Sequence, residues 1–248
     1  IVEMPSDFPR IDKDGSILLE PARTNLLTYS QDFSNSAWGK AGINITSNAA
    51  LSPDGSVNAS KIAGTNTTAP HFINQIKTAT SGQLYVASTY FKQSDIGHYG
   101  FLRFQASTAF DTEGAIIDLS DGSIVSHNLE QSPIVESVGS GWYRLSIVQT
   151  ANASGDGQLF IGETINSDIN SVSYLGDGTS GVYVWGAQLE EGSYPTSYIP
   201  TSGATATRAE DNSTNNDLIT KGFLGATEGT LFCDVDLELL ARDGAGRF

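Results

Sequence analysis

Gly176-Asp-Gly178-Thr-Ser-Gly181 has the G-x-G-x-x-G spacing of a turn that cradles a dinucleotide pyrophosphate. That chemistry needs a strand before the glycines, a helix opening after them, and an acidic residue about 20 positions on. The next residues, "VYVWGAQL", read as a strand, so the glycines are expected to serve a β-turn. "NASGDGQLFIGE" (152–163) places Asn152, Ser154, Asp156, Gly157 and Glu163 at calcium-loop positions. It has Asn where such a loop opens on a charged ligand, and neither flank is helical, so a hairpin loop is expected instead. His71, His98 and His127 are far apart and share no ligand spacing. The chain has no G-x-S-x-G, H-E-x-x-H or Walker pattern. Glu190 and Glu191 are adjacent, and on a strand they would point to opposite faces, the wrong arrangement for acid/base partners. These patterns argue for no catalysis; Glu163 and Asp118 are the carboxylates to test first for hidden chemistry.

A second kind of chemistry is carried by aromatic and planar polar side chains. Strand alternation puts Tyr143, Leu145 and Ile147 on one face of 141–150, and Trp142, Arg144 and Ser146 on the other. In 98–107, Leu102 and Phe104 oppose Tyr99, Phe101, Arg103 and Gln105, while Tyr90 and Lys92 share a face of 83–93. One set is core. The other mixes rings with Arg, Lys and Gln, as sugar sites do, where rings stack on pyranose C–H surfaces and polar groups bond hydroxyls. Tyr90, Lys92, Tyr99, Arg103, Gln105, Trp142 and Arg144 are therefore the candidate carbohydrate-binding residues. The competing reading is a solvated outer face. Trp38 and Trp185 are expected in the core, with Tyr183, Trp185, Ala187 and Leu189 sharing one face.

The elements that must hold these side chains are strands. Helical periodicity is almost absent, and short alternating segments are punctuated by Asp-Gly turns. The clearest strands are 83–93, 98–107, 114–120, 141–150, 157–164 and 181–190; weaker ones are 16–22, 43–48 and 59–64. Many short strands between Gly/Asp/Ser turns predict an all-β jelly-roll sandwich. "GSYPTSYIPT" (192–201) reads as an extended strap over the domain, because Pro195 and Pro200 cannot donate to a ladder.

Composition narrows the partners. Net charge is −15, from 13 basic and 28 acidic residues without a basic cluster, which argues against nucleic acid and anionic membranes. Charged residues are only 17%, so Ser, Thr, Asn and Gly must cover much of the surface. Cys233 is the sole cysteine, so no intrachain disulfide or cysteine-based metal site can form within one chain. The start at Ile1 and the stop at Phe248 suggest an excerpt of a longer polypeptide.

Three stretches then become recognisable together: "LLEPARTNLLTYSQDFSNSAWGK" (18–40), "SPDGSVNASKI" (52–62) and "GDGTSGVYVWGAQLEEGSYPTSYIPTSGATATRAED" (176–211). With "GWYRLSIV" (141–148), they resemble a carbohydrate-binding, concanavalin-like jelly roll of phage tail and head-fibre proteins. In that family the module is often followed by a laminin-G-like sandwich. The resemblance implies a connecting segment at 1–15, the jelly roll at 16–208, a linker at 209–228, and the first strand of a further sandwich in 229–248. It also implies a non-enzymatic glycan-binding module on the surface of a virion fibre or spike, contributing to host adsorption, with no cofactor. Expected partners are a host cell-surface glycan, other virion proteins and two further copies in a homotrimer. Modules of the broader class often hold a structural Ca²⁺; the corresponding places here are near Asp32 and Gln188. The alternatives are a structural decoration or spacer domain without a ligand, and an accessory binding domain of a polysaccharide-degrading tailspike.

Overall fold

A computed structural model describes residues 19–211. The described residues fall into two compact units: Ala22–Ala209, and Leu19–Pro21 with Glu210–Asp211. In the second unit, the Glu20 N–H donates to Asp211 Oδ2 at 2.8 Å and the Asp211 N–H to the Glu20 carbonyl at 2.9 Å. The expected segment 1–15, linker residues 212–228 and the strand in 229–248 lie outside the described residues. Leu19–Ala22 form no strand, in contrast to the expected 16–22.

Among the described residues there are sixteen strands and no helix. The first eight are β1 (Arg23–Asn25), β2 (Gly39–Ala41), β3 (Ile43–Leu51), β4 (Val57–Gly64), β5 (Thr68–Ala69), β6 (His71–Ala79), β7 (Leu84–Gln93) and β8 (Tyr99–Gln105). Then come β9 (Glu113–Ile117), β10 (Ile124–His127), β11 (Ile134–Gly139), β12 (Trp142–Thr150), β13 (Gly155–Thr164), β14 (Tyr174–Leu175), β15 (Gly181–Glu191) and β16 (Ala206–Arg208). Twelve build two six-stranded sheets, a front sheet ordered β10-β9-β8-β13-β6-β2 and a back sheet ordered β11-β12-β7-β15-β4-β3. Every pairing is antiparallel, and non-consecutive neighbours such as β7–β12 and β8–β13 give the crossovers of a jelly roll.

The core lies between the sheets and follows the alternation. Ile73, Leu102, Phe104, Ala115, Ile117, Leu159 and Ile161 come from the front sheet. Leu145, Ile147, Ala87, Phe91, Val182 and Val184 come from the back, with Tyr143 packed against them. Trp38 is buried in the same cluster, edge-on to Phe33 at 5.2 Å between centroids. The glycine-rich Gly176–Gly181 is a turn into β15, as expected. Asp177 Oδ1 accepts the Thr179 and Ser180 N–H groups at 2.8 and 2.7 Å, and Gly178 takes φ 84°.

Strand β15 breaks its own alternation. A bulge between Trp185 and Gln188, with Gly186 at φ 64°, shifts the register against β7. Val182, Val184, Ala187 and Leu189 face the core, while register places Tyr183, Trp185, Gln188 and Glu190 on the outer face. The expected grouping of Tyr183 and Trp185 with Ala187 and Leu189 is thus corrected. One extra residue inverts the period of two.

The segment after β15 is a strap, and it lies on the back sheet's outer face. Gln188 holds it at both ends of its amide: Oε1 accepts the Ile199 N–H at 2.6 Å, and Nε2 donates to the Thr196 and Ser197 carbonyls at 3.4 Å each. Buried Glu190 accepts the Thr196 N–H at 3.1 Å and the Thr196 hydroxyl. From below, Asn25 Nδ2 donates to the carbonyls of Ile199 at 2.9 Å and Ala187 at 3.1 Å. Ser30 Oγ meets the Tyr198 hydroxyl at 2.6 Å. A buried carboxylate and two buried amides thus find partners, most of them in the strap, as burial of such groups requires.

Candidate functional site

The seven candidate residues separate onto two outer faces. Tyr90, Lys92, Trp142 and Arg144 lie on the back sheet, where Trp142 pairs with Lys92 and Arg144 with Tyr90. The strap covers this face. Trp142 is 1% exposed, packs with Ala59, Tyr90 and Trp185, and donates Nε1–H to the Leu51 carbonyl at 3.0 Å. Arg144 is 5% exposed; its Nη2 donates to Ser88 Oγ at 2.9 Å and the Thr196 carbonyl at 2.8 Å, over the Tyr90 ring. The expectation that Trp142 and Arg144 line a groove is corrected: the face exists, but Tyr90, Trp142 and Arg144 are interior beneath Tyr198 and Thr196. Lys92 stays half-buried at the margin. Trp185 is buried as expected, although in this second cluster rather than between the sheets.

Gln188 and Asp32, the places named for a calcium ion, are both engaged within the fold. Both ends of the Gln188 amide are bonded to the strap backbone, and Asp32 Oδ1 accepts the Ser34 N–H and hydroxyl at 3.1 and 2.5 Å. Among the described residues, no three His, Cys, Asp or Glu side chains stand where they could share an ion.

The other candidates, Tyr99, Arg103 and Gln105, project from the front sheet with Phe101. In register, Arg103 pairs with Phe160 on one side and Gly114 on the other, and Phe160 pairs with Asn74 of β6. The outward residues of β6 are then Phe72, Asn74 and Ile76, and those of β13 are Gln158, Phe160 and Gly162. Part of this face is roofed: Ile169 and Val172, from the loop after β13, form a buried cluster with Phe101, Ile116 and Phe160, and Phe72 and Tyr99 pack against it. The Ile169 N–H donates to Ser126 Oγ at 3.3 Å, tying that loop to β10.

Toward β6 the face opens: Phe72, Asn74 and Gln158 are half-buried and Ile76 is exposed, whereas Phe160 and Arg103 are buried at 7% and 8% exposure. Phe72 and Phe160 stack nearly parallel, centroids 3.9 Å apart at 11°, and Arg103 approaches Phe160 from the β8 side, its Cζ 5.5 Å from the ring centroid. Ile76 continues the apolar strip at 51% exposure. Around it stand three amides. Gln105 Nε2 donates to Thr112 Oγ1 at 3.2 Å, while the half-buried Asn74 and Gln158 have no side-chain hydrogen bond among the described residues. An apolar strip flanked by free planar amides and a guanidinium can bind a ligand with C–H surfaces and hydroxyls; it offers no nucleophile or base. Phe72, Asn74, Ile76, Gln158 and Phe160 were not among the sequence candidates. The signal for Phe72, Asn74 and Ile76 is the alternation of "HFINQIKTA", where polar residues fall on both faces and blur the pattern; Gln158 and Phe160 lie on the expected strand 157–164. A cleft of about 700 Å³ lies elsewhere, lined by Arg23, Thr24, Gln83, Leu84, Glu191 and Thr207, without an aromatic ring.

Folding also joins two histidines that the sequence separates. Glu163, fully buried, accepts from His98 Nδ1 at 2.9 Å and from the Tyr174 hydroxyl at 2.5 Å. His71 Nε2 lies 3.1 Å from the Tyr174 carbonyl. The hydrogen bond to Glu163 raises the His98 pKa, outweighing burial. Burial and the same carboxylate push the Tyr174 phenol up. The node ties β14 and the 98–99 entry to β8 onto the end of β13.

The strand order and two-sided core define an antiparallel jelly-roll β-sandwich. No protein-family model matches the chain, and no curated protein matches it. Among solved structures it is similar to the CBM22-1–GH10 modules of Clostridium thermocellum endo-1,4-β-D-xylanase 10B, complexed with xylohexaose. That likeness has a TM-score of 0.39 and 12% identity over 73% of this chain, which spans 30% of the xylanase chain. It is also similar to TmCBM27, a carbohydrate-binding module described for specific mannan recognition. There the TM-score is 0.35, with 12% identity over 71% of this chain and 98% of the other.

Proposed function

We propose that the sandwich is a non-catalytic carbohydrate-binding module whose ligand lies on the front sheet's outer face where it opens toward β6. The observation that carries this reading is the Phe72–Phe160 pair with exposed Ile76, bordered by the free amides of Asn74 and Gln158 and by Arg103. Sugar C–H faces would lie on the apolar strip while the amides bond hydroxyls. The setting, a phage virion fibre or spike contributing to host-surface adsorption and built as a homotrimer, rests on the resemblance of 18–40, 52–62 and 176–211 to fibre modules. Glycan-array screening of the chain, followed by calorimetry on its best ligand, tests the reading. Phe72→Ala should weaken binding about 5- to 10-fold, from a ring contact worth about 1 kcal/mol. Unchanged affinity in that variant would refute the platform.

A second reading is a structural spacer that binds nothing. The strap that roofs the back face and the loop over Phe101 and Ile116 favour it. A chain that retains no member of a broad glycan array would support the spacer.

A further inference from the structure

Arg103 stands apart from the other buried cation of the sandwich. Arg144 spends its guanidinium on Ser88 and the Thr196 carbonyl. Arg103, 8% exposed, has no hydrogen bond and no carboxylate within ion-pair distance among the described residues. Its Nε is enclosed and unpartnered, whereas its two Nη groups are neither enclosed nor bonded, so the donors reach the surface of the platform. Phe101 and Phe160 flank the guanidinium at 5.7 and 5.5 Å, fixing its direction. Gly114 pairs with it and presents no side chain beside it.

Partial burial of a cation without a counter-charge is costly, and here it already pulls the guanidinium below its ordinary range. Nearby acids do not answer it. Glu113 pairs with Phe104, so it points away from this face, toward Asp111 and Glu130. Asp156 is the other charged outward residue of these strands, roughly 13 Å along β13 from Phe160.

Building on the carbohydrate reading, we infer that Arg103 anchors the carboxylate of an acidic sugar, a uronic-acid unit of a polysaccharide. The planar fork of two Nη groups matches a planar carboxylate in a bidentate pair. Gln105, the next outward residue of β8 after Arg103, stands directly opposite Gln158 of β13, so both amides lie beside the guanidinium where ring hydroxyls would lie. A sulfate ester shares the anionic chemistry and is separated by experiment.

The test titrates the full chain with polygalacturonate, alginate and hyaluronan, each before and after reduction of its carboxyl groups, and with dextran sulfate. At least one native uronate polymer should bind, at least 10-fold more tightly than its reduced form and than dextran sulfate. Arg103→Gln should lose at least 10-fold, and Arg103→Lys, which keeps the charge without the fork, should fall between. The comparison of native with reduced polymer uses the unaltered chain, so it decides even if Arg103→Gln fails to fold. Equal binding of native and reduced polymers overturns the assignment, as does a preference for dextran sulfate. Should only neutral glycans bind, with Phe72→Ala weakening them, the carbohydrate reading survives and the uronate assignment falls. If no glycan binds, both fall.

Discussion

Trp142→Ala separates an interior back face from a binding face. The ring is 1% exposed, packed among Tyr90, Ala59 and Trp185, and its Nε1–H bonds the Leu51 carbonyl at 3.0 Å. A buried indole removes roughly 150–250 Å² from water, about 4–6 kcal/mol at ~25 cal/mol per Å². That figure is an upper bound, because the unfolded chain already buries part of the ring. Truncations of this size in other cores cost about 3–5 kcal/mol, so a loss of about 4 kcal/mol is expected. In a sandwich of this length it should lower Tm by about 8–16 °C. Urea unfolding gives the free energy and calorimetry the Tm. Trp142→Phe keeps most of the apolar contact but loses the donor, and should cost about 1–2 kcal/mol. Glycan affinity of the folded fraction should not move in either variant. A loss below about 1 kcal/mol for Trp142→Ala, or a selective loss of glycan binding from a stable protein, would refute the burial of this face.

Three further outcomes rest on named contacts. Gly186→Val forces a β-branched residue to φ 64° with its Cβ 2.9 Å from the Tyr90 ring. It should cost at least about 2 kcal/mol in urea unfolding, and a neutral variant would mean that the bulge is not needed. Gln188→Leu takes the acceptor from the Ile199 N–H and removes the amide's two bonds to strap carbonyls, at about 1–3 kcal/mol. Amide exchange should quicken first at 193–201, and equal protection there would remove the strap's anchor. His98 has a raised pKa through Glu163, so its stabilisation is complete below the unfolded value of about 6.5 and is lost as pH rises through the folded value. The Tm gap between the native chain and His98→Asn should therefore be widest near pH 5–6 and shrink above neutrality; a gap that widens with pH would contradict the pairing.

Much of the fold was legible in the residues. Alternation in 83–93, 98–107, 141–150, 157–164 and 181–190 is a local property, set by successive Cβ atoms pointing to opposite sides of a strand. It placed Leu102, Phe104, Leu145 and Ile147 inside, and Pro195 and Pro200 marked an extended exit after the last long strand. Less of the site was legible. Strand β6 escaped notice because its polar residues occupy both faces: His71 and Gln75 point inward to fixed partners, while Asn74 points out.

What sequence alone determined was the all-β class and the alternation within unbroken strands; what covers each face was decided only by the tertiary structure. Trp142, Arg144 and Tyr90 form a polar-aromatic face in either setting. Whether that face meets solvent depends on Thr196 and Tyr198, some fifty residues further along than Arg144. A single positive φ at Gly186 turns Gln188 and Glu190 outward to grip that strap, and a period-of-two reading has no term for one added residue. Likewise Phe72 and Phe160 become one surface only because β6 and β13 pair, and His98 meets Glu163 across 65 positions. Side-chain direction is set between neighbours in the chain, but exposure is set by whichever distant segment packs on top.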